Sequence, residues 1–143
     1  FGKADRVVYL AAYLYHYRRD GSSSVTSGYN PRLYDQWQTL YDRMEAIIRS
    51  NQLGSEYEAA LNNRIALGIL GLGLNITVST QPMGKKVKDI HRIIRQERYR
   101  KACKNLPLNY FPIHWKLFYG CARHGFAFGV YVPLTVIQRI ISR

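Results

Sequence analysis

The sequence predicts a mainly α-helical chain: a short N-terminal pair of β-strands followed by about five helices. Three observations carry that expectation. Tyr13, Tyr15 and Tyr17 alternate with Leu14, His16 and Arg18, the period of two of a strand with one exposed face. From Asn30 onward, apolar residues recur every three or four positions, the repeat of an amphipathic helix. Between these stretches stand Gly, Pro and Asn, the residues that start and stop helices. At 143 residues the chain is long enough to bury one sizeable core. It divides near residue 29, into an end-of-sheet segment over 1–29 and a helical region over 30–143.

Val7, Val8, Tyr9 and Leu10 form the first predicted strand, β-branched and aromatic. The second ends at Arg18 and leads Arg18 and Arg19 into a loop of Asp20, Gly21, Ser22, Ser23 and Ser24. Guanidinium groups entering a flexible, hydroxyl-rich loop suit contact with phosphate. The same residues would also serve as a sheet edge closed by a solvated turn. Asn30-Pro31 then opens the first helix, with Asn as N-cap and Pro in the first turn. Leu33, Trp37, Leu40, Tyr41, Met44, Ile47 and Ile48 give it one apolar face, and Gly54 is the expected stop.

Ser55-Glu56-Tyr57-Glu58 reads as a capping box opening a second helix towards Leu74. Gly68, Gly71 and Gly73 weaken that helix but let a neighbour approach closely. Asn75 to Gln81 is expected to be a connector. Pro82 precedes a third helix over 83–104, with Val87, Ile90, Ile93 and Ile94 on one side. Lys85, Lys86, Lys88, Arg92 and Arg95 lead the basic residues on the rest of its surface. A solvated face is one reading of them; a helix lying on anionic lipid headgroups is the other.

Two short helices are expected at the end, about 113–124 and 130–142, around a glycine-punctuated corner at 125–129. Trp115, Tyr119 and Tyr131 beside Lys116 and Arg123 have the composition of a membrane interface, and also of a hairpin packed within the protein. Neither run is long enough to cross a bilayer, and no eighteen-residue uncharged apolar run is read in the chain.

The net charge is +12, and it is uneven. Residues 1–83 hold eight Lys/Arg against seven acids, whereas 84–143 hold thirteen against two. No acid follows Glu97, so the second half is expected to face something anionic. Nucleic acid would satisfy that charge, but no reading motif accompanies it, and it is not the expected partner. Cys103 and Cys121 lack metal or redox spacing and read as buried free thiols. His16, His91, His114 and His124 stand far apart without an acidic partner at useful spacing. No paired carboxylates, nucleophile elbow, phosphate loop or metal-ligand pattern occurs.

Val7 to Leu10, Leu14 to Arg18 and Gly21-Ser22 together resemble the segment that closes the catalytic domain of family 2, GT-A-type glycosyltransferases. These are bacterial enzymes that build capsule, exopolysaccharide or O-antigen chains. The resemblance implies that the strand pair is the remnant of a larger α/β sheet. It also implies that the Asp-x-Asp motif and the catalytic base lie upstream of Phe1, so this segment alone should not transfer sugar. In the intact enzyme it implies a nucleotide-sugar donor, a glycan acceptor and a divalent metal, Mg or Mn, bound by none of these residues. His16, Arg18, Arg19, Ser22 and Ser23 are then the candidate substrate-binding residues. Absence of a visible signal peptide and the basic C-terminal half place it, by expectation, in the cytoplasm, peripheral at the inner face of the membrane. Unpaired strand edges make a homodimer a further expectation.

Overall fold

The computed structural model describes residues 28–141. It contains six α-helices: α1 Leu33–Ser50, α2 Ser55–Val78, α3 Met83–Arg95, α4 Glu97–Asn105, α5 Ile113–His124 and α6 Ala127–Ile141. A 3₁₀ turn at Leu108–Tyr110 joins α4 to α5. No strand occurs among the described residues, which corrects the expected class, a mainly α chain with an N-terminal strand pair and about five helices, to an all-helical bundle of six helices over 28–141. The expected strand pair, from Val7 to Arg18, lies outside the described residues. Dimerisation through strand edges therefore has no described strand to rest on.

α2 is the axis of the bundle and packs against α1, α3, α4 and α6. Leu61, Ile65, Ile69, Leu72 and Ile76 are buried along it. Among the described helices it is also the one long and apolar enough to cross a membrane by length and composition, although every eighteen-residue window of it includes Arg64. Its contacts with four other helices give it the central place in the described bundle.

The glycines of α2 are where those neighbours come closest. Trp37 of α1 lies across Gly68 and Gly71, with the Arg64 guanidinium 5.6 Å from its ring centroid. A Cβ at Gly68 would meet the Tyr41 hydroxyl at 2.5 Å and Trp37 at 2.9 Å. One turn further on, Leu134 of α6 occupies the space a Gly73 side chain would need. The close approach expected of these glycines is made by two different helices.

Several boundaries differ from expectation, each for a local reason. α1 begins at Leu33, because Asn30 forms a turn of its own: its Oδ1 accepts from the Arg32 amide at 2.9 Å. Beyond α1 the left-handed residue is Gln52, with φ 50°, while Gly54 is extended and becomes the N-cap of α2. Ser55 sits inside α2 and makes no side-chain cap, so the capping box does not form. α2 runs on to Val78 and absorbs most of the expected connector.

The long third helix is broken at Gln96, whose ψ of 142° is extended. Continuing the Ile90–Ile94 stripe would put Glu97 and Lys101 inside, whereas the buried residues of α4 are Tyr99, Ala102 and Cys103. The break rotates that face back onto α2. At the other end of the chain, α5 closes on Gly125, with φ 75°. Its amide donates to Ala122 O and the Phe126 amide to Cys121 O at 2.8 Å, the paired bonds of a left-handed helix stop.

The Tyr41 hydroxyl is fully buried beside the Tyr99 hydroxyl, but makes no hydrogen bond of good geometry among the described residues. A buried hydroxyl without a partner carries a desolvation cost. Tyr41→Phe should therefore leave stability unchanged or raise it by up to about 1 kcal/mol in urea denaturation. A loss above that size would mean that the hydroxyl has a partner.

Candidate functional site

Residues 29–35, the second half of α2 and the end of α3 enclose a cleft of about 230 Å³. It is the first feature the chain meets after the Arg/Ser loop. Asn30 anchors it: the Asn30 amide donates to Asn75 Oδ1 at 2.8 Å, and Asn75 Nδ2 donates back to Asn30 O at 2.9 Å. This reciprocal pair ties the start of the described chain to the core helix. Across the cleft, the Tyr34 hydroxyl donates to Gln96 Oε1 at the α3–α4 break. Arg92 pairs with Asp89 at 2.9 Å on the α3 wall, and Asp35 adds a second carboxylate. Tyr29 stands half-exposed among the lining residues.

The cleft is thus lined by aromatic, amide, carboxylate and guanidinium groups, over an apolar floor of Leu72, Ile76 and Ile93. Such a mixture accommodates a polar ligand that offers both hydroxyls and an apolar face. Sequence reasoning missed Tyr34, Asn75, Asp89 and Gln96. Asn75 alone gave a signal, a polar residue following a long apolar run, but it was assigned to the connector.

The five expected substrate-binding residues, His16, Arg18, Arg19, Ser22 and Ser23, lie outside the described residues. The five expected membrane-surface residues divide. Lys85, Lys88, Arg92 and Arg95 share one outer stripe of α3 by their spacing and are exposed. Lys86 turns inward and donates to Thr77 O at 2.8 Å, closing the end of α2. Arg95 Nε donates to His91 Nε2 at 3.1 Å.

A second polar cluster joins α1 to α4. Arg98 contacts Asp42 at 2.5 Å and Glu45 at 3.3 Å, and donates to Gln38 Oε1 at 2.9 Å. Gln38 in turn donates to the Tyr99 hydroxyl at 2.9 Å. Burial alone would lower the Arg98 pKa; the Asp42 hydrogen bond and the Glu45 charge outweigh it and raise it. The cluster holds α4 against α1.

Cys103 and Cys121 are free thiols, and Cys103 is buried. Burial pushes the Cys103 pKa up to about 11, only partly opposed by Arg123. At neutral pH it is a protonated thiol and a poor nucleophile. Among the described residues, no three His, Cys, Asp or Glu side chains converge as a metal site would require.

Comparison with protein-family models, curated proteins and solved structures gives no match. The functional reading therefore rests on the residues themselves.

Proposed function

We propose that this chain is the C-terminal part of a glycosyltransferase, transferring sugar from a nucleotide-sugar donor to a growing cell-surface polysaccharide or a lipid-linked acceptor. The observation that carries the reading is the run from Val7 to Ser22, with its tyrosine alternation, paired arginines and Gly-Ser loop. The geometry supports it in one respect. The described chain begins beside a polar, aromatic-lined cleft, with Asn30 clamped to Asn75.

In such a transfer the acceptor hydroxyl attacks the anomeric carbon, and the bond to the nucleoside diphosphate breaks. Negative charge develops on the departing phosphate, and nearby fixed cations lower the barrier. Arg18 and Arg19 are the residues proposed for that role, with the Ser22 and Ser23 hydroxyls as donors and His16 on the acceptor side. A divalent metal would neutralise further charge. Its ligands belong to the upstream part of the intact enzyme, and no step through it is derived from this chain.

The test uses the intact enzyme that carries this chain, and follows nucleoside diphosphate release across a panel of nucleotide sugars with Mg²⁺ or Mn²⁺. Arg18→Ala with Arg19→Ala should reduce turnover by tenfold or more, about 1.4 kcal/mol of transition-state stabilisation. Unchanged turnover would remove the two arginines from the site. No turnover of any donor by the unaltered enzyme would overturn the transferase reading.

A further inference from the structure

We infer that the outer faces of α5 and α6, flanked by the basic stripe of α3, form a docking surface for an anionic lipid bilayer. This goes beyond the transferase reading and does not depend on it.

The apolar side chains come first. On α6, Phe128, Val132, Val136 and Ile140 follow one another at four-residue spacing, and all are exposed. Buried Ala127, Val130 and Leu134 occupy the opposite side and pack inward, Leu134 against Gly73. On α5, Ile113 and Leu117 are 70% and 64% exposed, opposite buried Phe118 and Ala122. Cys121 and Gly129, both half-buried, meet across the hairpin, so the outer sides of the two helices adjoin at that seam. The resulting patch is larger than scattered surface apolar residues require.

Charge says what covers it. No acid occurs in residues 98–143, so the patch carries no negative charge of its own. Arg139 lies on the exposed side of α6, between Val132 and Ile140, and Lys116 stands on α5. α3 packs along α6 and brings Arg95 within van der Waals reach of Gly125 at the hairpin corner. Its stripe of Lys85, Lys88 and Arg95 makes no salt bridge with any described carboxylate. A second copy would set this basic face against itself and be repelled. An apolar band flanked by cations with no carboxylate partner among the described residues fits a surface with an apolar interior and anionic headgroups. On this reading the lysines of α3 assist, while the hairpin supplies the insertion.

The test is co-sedimentation of the full chain with vesicles of phosphatidylcholine alone or mixed with phosphatidylglycerol, whose anionic headgroups attract lysine and arginine. Binding to the anionic vesicles is expected, falling steeply with salt. Leu117→Asp with Val136→Asp, both at exposed positions, should weaken it at least tenfold at unchanged helicity by circular dichroism. Arg139→Glu should weaken it at low salt and less at high salt. The inference is overturned by equal binding of the double variant, or by no binding of the unaltered chain to anionic vesicles. It is also overturned if light scattering shows a dimer that the double variant dissociates, which would assign the face to a second copy.

Discussion

Phe118→Ala is expected to lower the unfolding free energy of the chain by about 3–5 kcal/mol. Phe118 is almost wholly buried and meets Trp115 and Tyr119 edge-on, with centroids 5.7 and 5.0 Å away. Its removal loses the transferred apolar area and two favourable ring contacts, and leaves a space that the stacked neighbours cannot close. Against a typical stability of about 5–15 kcal/mol, that is a large fraction. Urea denaturation followed by far-UV circular dichroism measures it. A loss below about 1.5 kcal/mol would mean that α5 is loosely packed and the aromatic cluster does not stabilise the hairpin.

The second large effect has an unusual sign. Replacing a mid-helix glycine by alanine ordinarily stabilises by about 0.5–1 kcal/mol. Gly120 of α5 should behave so, because a Cβ there meets nothing within 4 Å. At Gly68 the same change drives a carbon against the Tyr41 hydroxyl and the Trp37 ring, both on α1. Gly68→Ala should therefore destabilise, and Gly68→Val should cost about 3 kcal/mol, the upper end of core overpacking. Adding Trp37→Leu should recover part of that loss, since two residues in contact are not additive. Stabilisation by Gly68→Ala in the same urea experiment would show that α1 sits further from α2 than described.

Much of the helical layout was legible. α5 is found at the expected residues, because Pro112 and Gly125 bracket one clear amphipathic repeat. α3 and α4 were not separated, although the sequence carries the reason. Between Ile94 and Tyr99 the apolar repeat loses its phase, and such a slip is overlooked when all intervening residues are good helix formers. Asn30 was read as a cap, but a side chain 45 positions away, Asn75, takes its backbone groups instead. No local rule anticipates that partner. The cleft was illegible for the same reason: its walls come from three separated segments, and Tyr34–Gln96 spans 62 positions. The strand pair and its loop lie outside the described residues, so the arginines expected to contact phosphate are untouched by the structure.

The Asn30–Asn75 clamp also sets a leash. Arg19 and Asn30 are eleven positions apart, and a fully extended chain advances at most about 3.5 Å per residue. Arg19 therefore cannot stray beyond roughly 38 Å from Asn30, which is held near the C-terminal end of α2. Any catalytic centre that this arginine serves must lie within that radius plus the reach of its side chain, whatever the larger protein looks like. A labelled donor analogue and a probe beside Asn75 farther apart than that sum would be incompatible with Arg19 touching the departing phosphate.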